Sequence, residues 1–137
     1  MAYAAQVNFR EGPDWRELLR AELASVATDV APVDWHMRQI ELCFHQVWHC
    51  FIEGERVGCV VWRIDFQPAC REFTIVAAVG WSDKFDLTET VLPRINDFAR
   101  SLGCATVRCH ITRMGLVVKL RRFGFDNAEW VLRKRLA

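Results

Sequence analysis

Residues 86–111 read DLTETVLPRINDFARSLGCATVRCHI, and the change of period within this stretch decides the fold class. Leu87, Val91, Ile95, Phe98, Ala99 and Leu102 recur at helical spacing and form one apolar stripe. Asp86 and Glu89 have the spacing of a capping box, and Gly103 is a stop. Pro93 lies inside this helix and is expected to kink it or delay its regular start. Cys104 to Ile111 then reads as a strand, so a helix runs almost directly into a strand.

Downstream, Leu116, Val117, Leu120 and Phe123 mark a second short helix closed at Gly124. Glu129 to Leu136 alternates Trp130, Leu132, Lys134 and Leu136 against Val131, Arg133 and Arg135, which predicts a last strand. Upstream, a period of two begins at Leu42. It puts Cys43, His45, Val47 and His49 on one strand face and Phe44, Gln46, Trp48 and Cys50 on the other. Glu53-Gly54-Glu55-Arg56 turns this run into Val57 to Phe66, whose apolar centre suits a buried strand. A third strand, Glu72 to Trp81, follows the Gln67-Pro68-Ala69 turn. Before these come a short segment ending at Gly12-Pro13 that reads as a first strand, and a helix over about Asp14 to Thr28 capped by Asp14. After the Ala31-Pro32 stop, a short helical turn capped by Asp34 runs through Met37 and Ile40. Hairpins first and a strand-helix-strand unit afterwards predict one α+β domain over residues 1–137, a mixed and mostly antiparallel sheet flanked by helices.

Composition agrees with one core: 137 residues are 52% hydrophobic and 12% aromatic. No run approaches the length of a membrane span and the opening lacks the features of a signal peptide, so an intracellular, cytoplasmic protein is expected. The six cysteines lie among Phe, Val, Trp and Ile and read as reduced core thiols. His36, Cys43, His45, His49 and Cys50 make a His/Cys-rich stretch, but their spacing fits no zinc-finger template, and no metal is expected. Residues 1–90 hold 8 Lys/Arg against 14 Asp/Glu, and residues 91–137 hold 10 against 3. Because Arg133, Lys134 and Arg135 alternate across a strand, their charge is spread over two faces, and nucleic acid is not an expected partner. Any of the six tryptophans left exposed would suit a protein partner or a second copy of the chain.

The order of elements, the step Leu102-Gly103-Cys104 and the helix end Lys119-Leu120-Arg121-Arg122-Phe123-Gly124-Phe125 resemble the GCN5-related N-acetyltransferase superfamily over about Val47 to Leu136. Arg113-Met114-Gly115-Leu116, with Leu120, is also similar to an Arg-x-Gly-aromatic pattern in acetyltransferase-like proteins of tailed bacteriophages, with Leu116 in the aromatic position. The resemblance implies acetyl-CoA as cofactor and an amine as acyl acceptor, with the backbone of Ala78, Val79 and Gly80 holding the acyl carbonyl and pantetheine.

In that family a Gln/Arg-x-x-Gly-x-Gly/Ala loop and the helix N-terminus after it bind the CoA pyrophosphate through backbone N–H groups. The corresponding stretch here is Gly80-Trp81-Ser82-Asp83-Lys84-Phe85-Asp86-Leu87-Thr88, which has no glycine after Gly80 and carries Asp83 and Asp86, with Lys84 to offset one charge. The tyrosine that often serves as general acid falls on Leu120, and Glu72 at the head of the third strand is a candidate general base. Two functions are therefore expected as alternatives. One is an acyl-CoA-dependent N-acyltransferase with a degenerate pyrophosphate loop. The other is a non-catalytic structural or interaction protein, such as a phage virion or assembly component, which would place it in the virion.

Overall fold

The computed structural model describes residues 5–11, 16–111, 114–129 and 131–136. Its elements are β1 (Val7–Glu11), α1 (Arg16–Ala24), α2 (Val33–Glu41), β2 (Gln46–Ile52), β3 (Glu55–Phe66), β4 (Arg71–Gly80), α3 (Leu87–Ser101), β5 (Cys104–Cys109) and α4 (Met114–Arg121). The strands form one sheet in the order β1-β2-β3-β4-β5. All neighbours are antiparallel except β4 and β5, which the α3 crossover makes parallel. This is the mixed, mostly antiparallel α+β architecture that the sequence predicts. No helix among the described residues is long and apolar enough to cross a membrane.

Each face of the sheet has its own core. On one face Trp48, Trp62 and Phe73 lie side by side, with centroids 4.8 Å apart for the tryptophans and 4.9 Å for the stacked Trp62–Phe73 pair. Phe98 of α3 closes edge-on over Trp48 at 4.4 Å. Val91, Ile95 and Ala99 complete this contact, so the apolar stripe that defines α3 is the stripe it buries. On the other face Leu19 and Leu23 of α1 and Met37 of α2 pack on Val47, Cys59 and Val61. α3 continues through Pro93, and Asp86 caps it by accepting the Glu89 amide at 3.2 Å.

Several boundaries differ from the expectation. α1 ends at Ala24 rather than near Thr28, because Ser25 and Val26 donate to the carbonyls of Glu22 and Leu23 three residues back and so close the last turn. Asp14 lies outside the described residues. α2 is longer than a turn and starts after Pro32, which leaves Asp34 in its first turn rather than at its cap. β2 begins at Gln46, not Leu42. The amides of Phe44 and His45 both donate to the Gln39 carbonyl and Cys43 takes φ +61°, so these residues wrap the end of α2 and leave no ladder position for Cys43 or His45. The hairpin turn is tighter than expected, with Glu53 and Gly54 at φ +51° and +80° between paired Ile52 and Glu55.

The expected last strand is the largest departure. Residues 131–136 pair with no strand among the described residues and are exposed, Leu132 at 93%. Glu129 binds Arg108 at 3.0 Å and Arg135 contacts Asp29 in the α1–α2 connection, so ionic contacts hold the segment. All six cysteines are free thiols, but Cys43 is exposed rather than in the core.

Phe73 is fully buried at the β4 end of the aromatic row. Phe73→Ala is expected to lower the unfolding free energy by about 3–5 kcal/mol, read as a fall in the urea midpoint with no change of slope.

Candidate active site

The opening in this sheet lies between β4 and β5. Their ladder runs from Arg71–Cys104 to Ile75–Cys109 and goes no further, whereas β4 stays paired with β3 as far as Gly80. Val76 is the cause. Trp62 pairs with Ile75 and Val61 with Ala77, so Val76 is an extra residue, and such a bulge bends the strand that carries it. β4 therefore turns away from β5 where their pairing stops. Past Ile75 the backbone of Val76 to Gly80 has no strand on this side among the described residues.

The predicted cofactor residues lie on this free stretch. Trp81 donates its amide to the Val57 carbonyl at 2.9 Å, which makes Val57–Trp81 a hydrogen-bonded pair. Alternation along an antiparallel ladder then directs the polar groups of Val79 toward β3 and those of Ala78 and Gly80 toward the opening. Gly58 is the counterpart on β3: a Cβ there would sit 2.0 Å from the Val79 carbonyl oxygen, so only glycine lets the strands meet at this level. Cys109 is the last paired residue of β5, and His110, exposed, follows it at the mouth of the opening.

The loop from Trp81 to Asp86 uses its own donors. The Ser82 hydroxyl accepts from the amides of Lys84 and Phe85 at 3.1 and 3.0 Å. Asp86 accepts from Glu89 and also pairs with Lys119 of α4 at 2.9 Å. The Lys119 hydrogen bond, with that amide, holds the Asp86 carboxyl below its usual range. A cavity of about 480 Å³ lies beside the loop, lined by Glu55, Val57 and Trp81 to Phe85. Lys84 faces Glu55 at 3.8 Å, and the Arg56 guanidinium lies 5.4 Å above the Trp81 ring.

Two charged groupings on the α1/α2 side of the sheet were not singled out in the sequence. In the first, Arg56 binds Glu22 of α1 through both terminal nitrogens at 3.0 and 2.6 Å and reaches the His49 Nδ1 at 3.0 Å. These groups are nearly buried, and the Glu22 hydrogen bond raises the Arg56 pKa. Burial pushes the neighbouring Cys50 and Cys59 thiols up to about 12. In the second, Asp65 gathers Arg63 at 2.9 Å, Thr74 at 2.6 Å and Arg108 at 3.2 Å. Glu72 belongs here: it pairs in register with Thr106, accepts from that hydroxyl at 2.9 Å and lies 3.4 Å from Arg108. It thus stands on the closed part of the β4–β5 ladder, with both oxygens engaged. The alternation of Arg63 with Asp65 and of Glu72 with Thr74 was the available signal, although partners on three strands cannot be matched without the register.

The histidines do not assemble as their spacing suggests. His49 is on β2, while His45 precedes it, buried against Trp35 and 3.4 Å from Arg63. Among the described residues no group of His, Cys, Asp and Glu is arranged to hold a metal. Leu120, in the tyrosine position, is buried on α4. Gly124 at φ +87° closes that helix, with the Phe125 amide donating to the Leu120 carbonyl. Arg113 lies outside the described residues.

No family model and no curated protein matches this sequence. Solved structures do. The aminoglycoside N-acetyltransferase AAC(6')-Iy in complex with CoA superposes with a TM-score of 0.66 at 13% identity, over 99% of this chain and 98% of that one. A transcriptional regulator from Bacillus halodurans C-125 gives 0.72 at 15% identity over 96% and 100%. Glucosamine-6-phosphate N-acetyltransferase from Arabidopsis thaliana gives 0.65 at 17% over 96% and 99%. The fold is that of the GCN5-related N-acetyltransferases. Similarity at these identities concerns the fold, and the regulator among the neighbours shows that differently described proteins share it.

Two expectations follow from the buried charges. Burial, then Arg63, lowers the His45 pKa from 6.5 to about 4, and burial lowers that of His36 as well. The unfolded chain therefore binds protons that the folded one refuses. Stability is complete above pH 6.5 and falls as pH drops toward 4, by up to about 3 kcal/mol from His45, and His45→Gln flattens this part of a urea-midpoint profile. Arg56→Met, which leaves the Glu22 carboxylate buried and unpaired, is expected to cost about 3–5 kcal/mol, and Arg56→Met with Glu22→Leu considerably less, as read by thermal unfolding.

Proposed function

We propose that this chain is an N-acyltransferase-type protein that takes the thioester end of an acyl-CoA into the opening between β4 and β5. The observation that supports it most is the free side of β4 beyond Ile75. A pantetheine amide chain can pair there with the backbone of Ala78 and Gly80 as a strand would, and a donated N–H can polarise the acyl carbonyl. Transfer joins the acceptor nitrogen to the acyl carbon, releases the CoA thiolate and requires the amine to lose a proton. Glu72, the base expected from the sequence, is held by Thr106 and Arg108 on the paired part of the ladder, about 20 Å along the strand from Ala78, so that proton passes to water instead.

The loop changes how the donor is held. Amides of Lys84, Phe85 and Glu89 that would meet a pyrophosphate already donate within the chain, and the Asp86 carboxylate occupies the start of α3 with its charge. The pyrophosphate then contributes little, and the pantetheine arm contributes most. The same observation supports a second reading, a non-catalytic structural or interaction protein on this fold.

Calorimetry separates the two. Under the acyltransferase reading, acetyl-CoA and acetyl-pantetheine bind within about fivefold of one another, because a charge at a helix N-terminus is worth about 0.3–1 kcal/mol. Asp86→Ser, which keeps an acceptor for the Glu89 amide and removes the charge, then favours acetyl-CoA. Absence of binding by either donor at about 1 mM leaves only the second reading.

A further inference from the structure

The opening beside β4 and the loop before α3 suit different parts of one donor. The backbone of Ala78 and Gly80 offers pairing to a pantetheine arm. The loop offers little to a nucleotide, since Ser82 and Asp86 already accept the amides of Lys84, Phe85 and Glu89. Asp83 and Asp86 also put carboxylates where the several negative charges of the CoA nucleotide would come. A thioester arm without a nucleotide meets both conditions. Phosphopantetheine esterified to a serine of a carrier protein is such an arm, with one phosphodiester in place of the nucleotide.

The surface next to the loop fits the body of such a carrier. The Asp86–Lys119 ion pair fixes α4 beside the start of α3, and so beside the loop. Leu116, Lys119 and Arg122 follow one another at three-residue spacing, while Met114, Val118 and Arg121 form the neighbouring stripe. Met114, Leu116 and Val118 are 73%, 40% and 50% exposed. Arg121 and Arg122 are exposed too, and among the described residues their guanidiniums form no ion pair. Residues 111–125 contain four Lys/Arg and no Asp/Glu. Cations at a helix C-terminus complement its dipole, but that leaves the bare apolar half of the same helix without a reason.

From these observations we infer that the donor is the acylated phosphopantetheine arm of a small acidic carrier protein, which docks on α4 while its arm enters between β4 and β5. The inference rests on the acyltransferase reading and narrows its donor. Carboxylates of the carrier meet Arg121 and Arg122, and its apolar side chains cover Met114 and Val118. The single phosphodiester passes the loop without needing the amides that Ser82 and Asp86 hold. Transfer balances as before. The acceptor nitrogen bonds the acyl carbon, the C–S bond breaks, the arm leaves as its thiolate and the amine proton passes to water. An acidic protein is preferred to a nucleic acid because the cations adjoin exposed apolar side chains, which a phosphate backbone would leave uncovered.

Calorimetry on the full chain tests it with three probes: a bacterial acyl carrier protein loaded with acetyl-phosphopantetheine, the same carrier without its arm, and acetyl-pantetheine. The loaded carrier is expected to bind at least about tenfold more tightly than acetyl-pantetheine, because surface and arm engage together. This advantage shrinks as salt rises from about 0.05 to 0.5 M. Arg121→Glu combined with Arg122→Glu brings the loaded carrier down to the affinity of acetyl-pantetheine. Both side chains are exposed, so thermal unfolding of the variant stays that of the parent chain. A loaded carrier that binds no more tightly than acetyl-pantetheine overturns the inference and leaves the acyltransferase reading standing. So does an advantage that survives the charge reversal, or a carrier without its arm that binds as tightly as the loaded one. Failure of every pantetheine thioester to bind removes both together.

Discussion

One surplus residue in β4 controls the half of the molecule that carries the proposed site. With Val76 unopposed on β3, β4 changes course between Ile75 and Ala77, and the parallel ladder to β5 cannot follow. Before that point, Phe73 and Ile75 join the apolar face under α3. After it, Ala78 and Gly80 present backbone polar groups to open space. An amide buried without a partner is costly, so such an opening persists only where solvent or a ligand reaches it. The two sides of the sheet secure the bend differently. The aromatic row of Trp48, Trp62, Phe73 and Phe98 fixes α3 against the paired part, while Glu22 and Arg56 tie α1 to the strand opposite the free part.

The polar chemistry is arranged around satisfaction rather than reactivity. Asp65, Glu72 and Arg108 form a connected lattice across three strands in which each charge has a partner of opposite sign, and only the buried Arg108 Nε lacks a hydrogen bond among these three residues. The loop before α3 behaves in the same way at smaller scale, with Ser82 and Asp86 consuming amides that a phosphate would seek. A site that binds anions well leaves donors unpaired until the ligand arrives. This loop is already closed on itself, which sets it apart from the unpaired stretch of β4 where the proposed site lies.

How much of this was legible in the sequence depended on the range of the interaction that decides each feature. α3 and its cap were readable because Asp86, Glu89 and the apolar stripe lie within four turns of one another. The hairpin and the end of α4 were readable because Gly54 and Gly124 act locally. The start of β2 was not, because Cys43 to His45 alternate as a strand and yet their amides are captured by Gln39 from the preceding helix. The bulge at Val76 has no local mark at all and exists only in the register between β3 and β4. Residues 131–136 are the opposite case: the strand pattern was plain, but a pattern does not specify whose edge it joins. The electrostatic lattice combines both difficulties, since its residue types were visible and its partners lie on separate strands.

Gly58 has a consequence for how this sequence is free to drift. Its missing Cβ faces the main chain of β4 rather than a side chain, so no second substitution nearby can make room for a larger residue. Any replacement must be met by the strand itself moving aside. That same strand bounds the opening, and position 58 therefore records the pressure on the opening's shape. In a lineage that still seats a ligand beside Ala78 and Gly80, the glycine is trapped. In one that has given up the ligand, the strands are at liberty to part, and this position is among the first where the loss becomes visible.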